Sequence, residues 1–160
     1  MAAWENGPLL AGKTIIVTGS SSGIGKETAR LCTKLGATVL GVDITKAFEH
    51  VEEFYRADLS DPRTIDALID VLPDGIDGIA NIAGLPPTAP ADKVLAVNLF
   101  GLKRFTTAML GKLNDGASIV NLASLAGFGW PQAIDAIRAS ETVAMDDIAT
   151  FSKTHNITNE

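Results

Sequence analysis

KTIIVTGSSSGIG, residues 13–25, decides the fold of this 160-residue chain. It joins a short apolar run to a segment made almost entirely of glycine and serine. Such a segment is typical of a flexible linker, but it is also the kind of backbone that lets a phosphate group approach closely. The residues on either side of the glycines distinguish the two interpretations.

These flanking residues favour a phosphate-binding turn over a linker. Lys13–Thr18 is short, β-branched and apolar without alternation, which predicts a parallel strand buried on both faces. After the glycines, apolar residues recur at helical spacing and predict an amphipathic helix that ends at Gly36. The expected apolar face of this helix consists of Ile24, Thr28, Leu31, Cys32 and Leu35.

The strand, turn and helix together predict a site for a dinucleotide phosphate. Gly19 would allow the sharp turn out of the strand, Gly23 the close approach of a pyrophosphate, and Gly25 the packing of the helix on the sheet. The helix N-terminus presents unpaired N–H groups to the anion. Further hydroxyl donors are available from Ser20, Ser21 and Ser22.

A second predicted strand, Ala37–Asp43, ends in a carboxylate that stands 18 positions after Gly25. An acidic residue near this spacing accepts hydrogen bonds from the adenosine ribose and repels a 2′-phosphate. Ile44 and Thr45 follow and supply no arginine to reverse that preference. The sequence therefore predicts NAD rather than NADP as cofactor, although Asp43 could also merely cap the segment that follows.

Strands and helices continue to alternate along the chain, which predicts right-handed β-α-β units and a parallel sheet in one domain, residues 1–160. The further expected elements are a strand at 53–57, a helix from Asp61-Pro62, a strand at 76–83, a long helix from 91 to about 113, a turn at 114–116 and a strand at 117–123. Parallel sheets bind ligands beyond the carboxyl ends of their strands. At or near those ends stand Asp43, Asp58, Asn81, Gly84 and Ser124.

Five motifs, in this order, resemble those of the short-chain dehydrogenase/reductases. The first has three residues between its first two glycines, which is that family's spacing. The motifs are Thr18-Gly19 with Gly23-Ile24-Gly25, Asp58-Leu59, Asn81-Ile-Ala-Gly84, Val97-Asn98 and Ser124. The resemblance implies an α/β fold, a Rossmann-type doubly wound parallel sheet in three α/β/α layers.

The resemblance also implies which residues hold the cofactor. Asp58 and Leu59 would contact the adenine, and Asn81 and Gly84 would line the ribose on the nicotinamide side. Ile82 stands where the family usually has a second asparagine. The complete predicted set is Gly19, Ser21, Ser22, Gly23, Ile24, Gly25, Asp43, Asp58, Leu59, Asn81, Ala83 and Gly84.

Two matched residues would belong to the catalytic machinery. Ser124 corresponds to the serine that hydrogen-bonds the substrate oxygen, and Asn98 to the asparagine whose backbone helps hold a water in a proton relay. The residues themselves leave plainer roles open. Ser124 could cap the next helix, and Asn98 could be an ordinary asparagine inside a helix.

The family's acid/base pair is a tyrosine followed four residues later by a lysine that lowers the tyrosine pKa. The one tyrosine here, Tyr55, is followed at that spacing by Leu59, and residues 132–138 contain none. The chain is therefore either an inactive relative or the N-terminal portion of a longer enzyme, without the C-terminal strands of the fold. We expect the second, because the strand at 118–122 would otherwise be an unpaired apolar edge, which natural proteins cover.

Residues 131–154 predict two short helices between Ser124 and the expected tyrosine. This insertion resembles the bacterial 3α-hydroxysteroid dehydrogenase/carbonyl reductase branch of the family. The resemblance implies an NAD-dependent oxidoreductase that interconverts a secondary alcohol and a ketone, either a hydroxysteroid or a smaller carbonyl compound. Two alternatives stay open: a non-catalytic NAD(H)-binding module, and a sugar-nucleotide epimerase or dehydratase on a related fold.

The composition of the chain excludes several classes of partner and site. The net charge of −6 argues against nucleic acid or an anionic membrane, and no stretch approaches the roughly 18 apolar residues of a membrane span. The single cysteine, Cys32, excludes an internal disulfide, and the isolated His50 and His155 predict no metal site. We expect a cytoplasmic protein. The apolar helix at 94–113 corresponds to a subunit contact in the family, which implies a homodimer or homotetramer.

Overall fold

Five parallel strands form one sheet in the order β3-β2-β1-β4-β5. The structure, a computed structural model, describes residues 8–46 and 49–158. The strands are β1 (Thr14–Thr18), β2 (Thr38–Asp43), β3 (Glu53–Arg56), β4 (Ile76–Asn81) and β5 (Leu113–Asn121). The chain moves outward from β1 to β3 and then crosses to β4 on the other side of β1. This reversal leaves a crevice between the carboxyl ends of β1 and β4, where doubly wound sheets bind ligands.

Helices connect the strands and confirm the predicted alternation. They are α1 (Gly23–Lys34), α2 (Pro62–Val71), α3 (Ala91–Leu95), α4 (Leu102–Met109), α5 (Ile134–Ala139) and α6 (Ile148–Thr154). Asp61 caps α2 by accepting a hydrogen bond from the Arg63 amide at 2.9 Å. The long helix expected from residue 91 is helical throughout but changes type, since a π-helical segment, Ala96–Gly101, joins α3 to α4 and a 3₁₀ turn, Leu110–Lys112, follows.

The core lies on both faces of the sheet, as the predicted three-layer fold requires. Ile16 and Val17, neighbours on β1, are both fully buried but belong to different clusters. Ile16 packs with residues of α2 and α4 such as Ile65 and Phe105, whereas Val17 packs with Ala29 of α1. Because β1 is covered on both faces, its apolar run does not alternate.

The buried face of α1 differs from the predicted one. Ile24 and Leu31 were expected to face the sheet, but they are 61% and 47% exposed, and the buried residues of the helix are Gly25 and Ala29. A Cβ at Gly25 would lie 2.0 Å from the carbonyl oxygen of Gly19. The helix therefore approaches the turn so closely that only small residues fit between them, and larger apolar residues point outward.

The turn predicted at 114–116 is wrong, because these residues belong to β5. The ladder passes from the pair Ile76–Leu113 to the pair Gly78–Ser118, so the intervening part of β5 forms a bulge, with Gly116 at a φ of 79°. The predicted ends of the fourth and fifth strands, Ala83 and Ala123, also lie two residues too far along the chain.

A carboxylate links the amino ends of β1, β4 and β5 at this bulge. Asp77 of β4 accepts hydrogen bonds from the Thr14 amide at 2.9 Å, the Lys13 ammonium at 3.0 Å and the Asn114 amide side chain at 3.1 Å. These donors, the Thr14 amide foremost, lower the pKa of Asp77 to about 2.

The other side of β5 is an edge. Within residues 8–46 and 49–158, no strand pairs there. Val120 and Leu122 are exposed at this edge, and beyond it Leu125 and Phe128, in the 3₁₀ segment Leu125–Ala133, are 91% and 86% exposed. This is the apolar edge that the sequence predicts.

The inserted helices α5 and α6 pack against the middle of the 91–112 helical stretch. Phe100 and Phe151 make an edge-to-face contact with ring centroids 5.7 Å apart, and Lys103 donates hydrogen bonds to the carbonyls of Ser140 and Glu141 beyond the end of α5. Part of the apolar helix surface assigned to a partner subunit is thus covered by the chain itself, while Leu110 stays exposed. None of the described helices has the length and apolar character needed to cross a bilayer.

Gly101 brings the same helical stretch against the loop after β3. A Cβ at this position would lie 1.9 Å from the carbonyl oxygen of Leu59 and 2.8 Å from that of Ala96. Both obstacles are backbone atoms, which cannot rotate away.

Replacing Gly101 with alanine should therefore lower the free energy of unfolding by about 3 kcal/mol, measured by urea denaturation. Gly111→Ala is the matched control, because no heavy atom lies within 4 Å of a Cβ there. It should change the stability by no more than about 1 kcal/mol. Equal midpoints for the two variants would contradict the packing described for Gly101.

Asp77 predicts a pH dependence of stability. Its pKa in the folded protein, about 2, lies below the ordinary value of 3.8. Its stabilising contribution should therefore be complete above about pH 4 and be lost as the pH falls toward 2. Urea unfolding over that range should show a steeper loss for the wild type than for Asp77→Asn, and parallel curves would refute the assignment.

Candidate cofactor site

The turn between β1 and α1 is fixed by close backbone contacts. Gly19 has a φ of 72°, and its amide donates to the Val42 carbonyl at 2.8 Å. A Cβ at Gly19 would lie 2.9 Å from the Cα of Ala83. Glycine is required here both by the backbone angle and by the nearness of the segment after β4.

Gly23 is different, because no heavy atom lies within 4 Å of the position that its Cβ would take. Its φ of 52° favours glycine, and the space beside it is open. Ser22, the N-cap residue of α1, makes no side-chain capping bond, and the first turn of the helix holds no acidic residue. The arrangement therefore fits a pyrophosphate, which needs open space, free amides and a positive helix end.

The three serines of the turn have different environments. Ser20 is fully buried against β2, and its hydroxyl has no hydrogen-bond partner among the described residues. Its predicted use as a hydroxyl donor to a ligand stays a prediction. Ser22 is exposed at the start of α1, and Ser21 is bonded to Asp43.

Asp43 lies beside the turn and is held on both oxygens. Its Oδ2 accepts hydrogen bonds from the amide and the hydroxyl of Ser21, at 3.1 and 2.7 Å. Its Oδ1 accepts one from the Thr45 amide at 3.0 Å. Asp43 caps the segment after β2 and also faces the phosphate turn. A capping role is therefore compatible with the predicted role of Asp43 as a ribose ligand.

Asp58 and Leu59 have separate surroundings. The Oδ1 atom of Asp58 accepts hydrogen bonds from the amide and hydroxyl of Ser60, at 2.8 and 2.7 Å, and the residue is exposed at the end of β3. Leu59 is only 6% exposed and belongs to the core between the sheet, α2 and α4. The contacts of both residues with an adenine stay predictions.

The hydroxyl of Thr18 joins the two sides of the crevice. It accepts hydrogen bonds from the amides of Ile82 and Ala83, each at 3.0 Å, and Thr18 is buried. The end of β1 is thereby tied to the chain leaving β4, where Ala83 and Gly84 follow. Sequence reasoning placed Thr18 in a motif but assigned it no role.

Asn81 is a buried link between three elements. Its side-chain amide donates to the hydroxyl of Thr106 in α4 at 2.9 Å and to the Oδ1 atom of Asn121 in β5 at 2.8 Å. The structure thus shows Asn81 positioning the sheet end and α4, and its contact with a ribose stays a prediction. Thr106 and Asn121 were missed because they lie 25 and 40 residues away in sequence.

Asn98 lies in the π-helical segment and holds the loop after β4. Its Oδ1 accepts from the Leu85 amide at 2.7 Å, and its Nδ2 donates to the Leu85 carbonyl at 3.0 Å. The side chain is occupied, which leaves the backbone of Asn98 for the predicted water relay. π-helical turns occur frequently at functional sites.

The remaining groups lie toward the substrate end or away from it. Ser124 is exposed just beyond β5, and its carbonyl accepts a hydrogen bond from the Gly127 amide at 3.0 Å at the start of the 3₁₀ segment.

Tyr55 lies within β3, where burial and a hydrogen bond with Glu53 raise its pKa to about 12. A raised pKa is the opposite of what a proton-transferring tyrosine needs. No metal-binding group of three or more acidic, histidine or cysteine residues occurs in the described chain.

Comparisons with known sequences agree with this geometry. The family model for short chain dehydrogenases matches residues 13–136. A coniferyl-alcohol dehydrogenase from Pseudomonas sp. (strain HR199 / DSM 7063) is 50% identical over 122 residues, which cover 76% of this chain and 48% of the relative. The short-chain dehydrogenase/reductase ABA4 of Pyricularia oryzae is 34% identical over 145 residues, covering 74% and 54%. The chain thus spans about half the length of the curated relatives it matches.

Solved structures show the same fold. The 3-alpha-hydroxysteroid dehydrogenase from Pseudomonas sp. B-0831, complexed with NADH, has a TM-score of 0.70 and 27% identity, covering 92% of this chain and 58% of that one. A short chain dehydrogenase from Shigella flexneri 2a str. 301, complexed with NADP, has a TM-score of 0.66 at 24% identity, covering 76% and 62%. The first likeness therefore covers a larger share of this chain than the second.

The bond pattern at Thr18 gives a testable expectation. Thr18→Val keeps the side-chain shape but leaves two amides without their acceptor, so the free energy of unfolding should fall by about 2–3 kcal/mol. Hydrogen exchange at the Ile82 and Ala83 amides should become faster. Thr18→Ser, which keeps the hydroxyl, should retain slow exchange at both amides. Unchanged exchange in the valine variant would contradict the assignment.

Proposed function

The chain belongs to the short chain dehydrogenase family, and on that premise we propose that it forms the cofactor-binding part of an NAD-dependent oxidoreductase that interconverts an alcohol and a carbonyl compound. The observation that carries this proposal is the open turn at Gly23, at the uncapped start of α1, with the Asp43 carboxylate beside it. When bound, the nicotinamide dinucleotide would supply the hydride acceptor or donor.

The residues of this chain would hold and orient that cofactor. The amides of the first turn of α1 would bind the pyrophosphate, and Asp43 the adenosine ribose. Asp58 lies at the carboxyl end of β3, at the same end of the sheet as Asp43, where it would contact an adenine. Ala83 and Gly84, tied to β1 through Thr18, would line the crevice toward the nicotinamide.

The preference for NAD rests on the negative charge of Asp43. Solved relatives include one complex with NADH and one with NADP, so the choice depends on this chain's own residues. A carboxylate at position 43 repels a 2′-phosphate. One observation favours NADP instead: the residues that line a pocket next to Asp43 include the positively charged Lys46 and Arg56, with Ile44, Thr45 and Phe54. We favour NAD because Asp43 is bonded directly to the turn through Ser21, whereas Arg56 is on the edge strand.

At the substrate end, Ser124 would hydrogen-bond the substrate oxygen, and the backbone of Asn98 would hold a water for proton transfer. The acid/base tyrosine and lysine would come from a part of the protein outside these 160 residues. Two relatives suggest substrate classes to test, because one is named for coniferyl alcohol and one for a 3-alpha-hydroxysteroid. Failure of the protein to oxidise any alcohol while binding NAD would favour a non-catalytic NAD(H)-binding module.

Two further proposals concern the whole protein. We propose a homodimer or homotetramer, supported by Leu99 and Leu110, which remain exposed on the 91–112 helical stretch. We also propose a cytoplasmic location, supported by the acidic composition and the single cysteine. Analytical ultracentrifugation of the protein purified from the cells that naturally produce it would test the oligomeric state. Fractionation of those cells would test the location.

The cofactor preference is tested at Asp43. Asp43→Ala should raise the Kd for NAD roughly tenfold or more, since charge-assisted hydrogen bonds to the ribose are lost, and should lower the Kd for NADP. Calorimetry with both dinucleotides measures this. Asp70→Ala removes the same charge from an exposed site on α2 and should leave the NAD/NADP ratio unchanged. An unchanged ratio in Asp43→Ala would contradict the role given to this carboxylate.

The oxidoreductase proposal is tested at Ser124. The protein purified from the cells that naturally produce it should reduce NAD when coniferyl alcohol or a 3-alpha-hydroxysteroid is supplied. Ser124→Ala should lower kcat by about 100-fold, because it removes an oriented donor to the substrate oxygen, while leaving the Kd for NAD unchanged. Equal kcat values for the two proteins would refute the role of Ser124.

A further inference from the structure

An open cavity of about 590 Å³ lies between the inserted helices and the 91–112 helical stretch. It is lined by Leu95 and Leu99 from that stretch, by Ile137 from α5 and by residues 155–158, which follow α6. Sites for small molecules typically have volumes of about 300–1,000 Å³ and a mostly apolar lining. The residues proposed for the cofactor and for the substrate end do not line this cavity, so it is a separate candidate site.

The residues after α6 form a fixed wall of the cavity. The Ile157 amide donates a hydrogen bond to the Ser152 carbonyl at 2.9 Å, and the Ser152 hydroxyl donates one to the Ile157 carbonyl at 3.1 Å. Asn156, at a φ of 48°, donates from its amide to the Lys153 carbonyl at 3.3 Å. The two amide bonds make up a Schellman motif, which ends a helix with one residue in the left-handed conformation. Ile157 is thus held at both its amide and its carbonyl.

His155 supplies a positioned polar group in this wall. The residue is half-buried, and its ring centroid lies 4.8 Å from that of Phe151. Phe151 is in turn held edge-to-face by Phe100, with centroids 5.7 Å apart. A neutral imidazole offers one hydrogen-bond donor and one acceptor. The cavity thus combines aliphatic walls with one ring that can bond a hydroxyl group.

The charges of the lining decide between classes of ligand. Asp135 contributes a carboxylate, and no lysine or arginine lines the cavity. A ligand carboxylate or phosphate would enter a largely apolar space without a cation to pair with, which costs free energy. An ammonium group would also lose hydration, and it would gain little from Asp135, because that residue is exposed. A neutral ligand avoids both costs.

We propose that this cavity binds a neutral, apolar alcohol, with its hydroxyl hydrogen-bonded to His155 and its hydrocarbon body against Leu99 and Ile137. The inference goes beyond the proposed function, since the cavity shares no residue with the proposed cofactor and substrate sites. Binding of the alcohol therefore does not depend on binding of a dinucleotide.

The experiment compares three ligands that share one rigid hydrocarbon cage: 1-adamantanol, 1-adamantanecarboxylate and 1-aminoadamantane. The alcohol is tertiary and cannot be oxidised to a carbonyl compound, so it reports binding without turnover. Calorimetry on the protein purified from the cells that naturally produce it should show a single site per chain for the alcohol. The carboxylate and the amine should bind at least about tenfold more weakly, because each brings a poorly compensated charge into the cavity. No binding of the alcohol, as when a partner subunit or another segment fills the cavity, would overturn the inference. Equal or tighter binding of either charged ligand would also overturn it.

Two matched variants locate the bound alcohol. Ala133 is exposed and lines the cavity, so Ala133→Phe should fill the space without disturbing the core and weaken binding at least about tenfold. Ala149→Phe makes the same change at an exposed alanine of α6 outside the lining and should leave the Kd unchanged. Equal Kd values for the two variants would contradict the assigned position.

Two further variants test the hydrogen bond and separate the cavity from the substrate end. His155→Phe keeps a ring against Phe151 but removes both nitrogens, so the Kd for 1-adamantanol should rise about fivefold. Ser124→Ala should leave this Kd unchanged. If Ser124→Ala removed binding while Ala133→Phe did not, the alcohol would bind at the substrate end and the inference would fail. A protein that binds the alcohol but no dinucleotide would refute the proposed function and leave this inference standing. The comparison of the three ligands needs no variant, so it tests the inference even if a variant does not fold.

Discussion

The close approach of α1 to the end of β1 is the contact on which the rest of the site depends. A Cβ at Gly25 would lie 2.0 Å from the carbonyl oxygen of Gly19, so helix and turn touch through backbone alone. This contact aims the N-terminus of α1 at the crevice and leaves Gly23 facing open space. It also places Ser21 next to the end of β2, where its amide and hydroxyl meet Asp43. A larger residue at position 25 would therefore displace both the first turn of α1 and Ser21, the residues proposed for the pyrophosphate and beside the ribose.

A second set of contacts positions the opposite wall of the crevice. The π-helical segment Ala96–Gly101 approaches the carbonyl of Leu59 at Gly101 and holds Leu85 through Asn98. One helical stretch is therefore anchored both to the loop after β3 and to the loop after β4. The adenine end and the nicotinamide end of the proposed site are coupled through backbone packing and through one asparagine side chain.

The sequence predicted much of this architecture because the decisive signals are local. Non-alternating apolar runs located the strands, glycine spacing located the turn, and Asp61-Pro62 located the start of α2. The errors arose where long-range contacts decide. The buried side of α1 is chosen by close packing rather than by apolar periodicity. The bulge around Gly116 forms because Asn114 bonds across to Gly75 and Asp77, and nothing in the local pattern shows this. The partners of Asn81 and the burial of Ser20 likewise come from distant elements.

The two ends of the candidate site differ in how completely the chain builds them. The residues proposed to bind the dinucleotide are held within the described chain by short backbone contacts and paired side chains. Ser124 follows the edge strand β5, beside Leu125 and Phe128, which are almost fully exposed. An apolar surface of this kind needs a cover, because water-exposed aromatic and aliphatic side chains at a sheet edge favour association. The proposed cofactor half therefore draws on residues that the described chain holds in place, whereas a substrate cavity around Ser124 requires walls that the described residues do not supply.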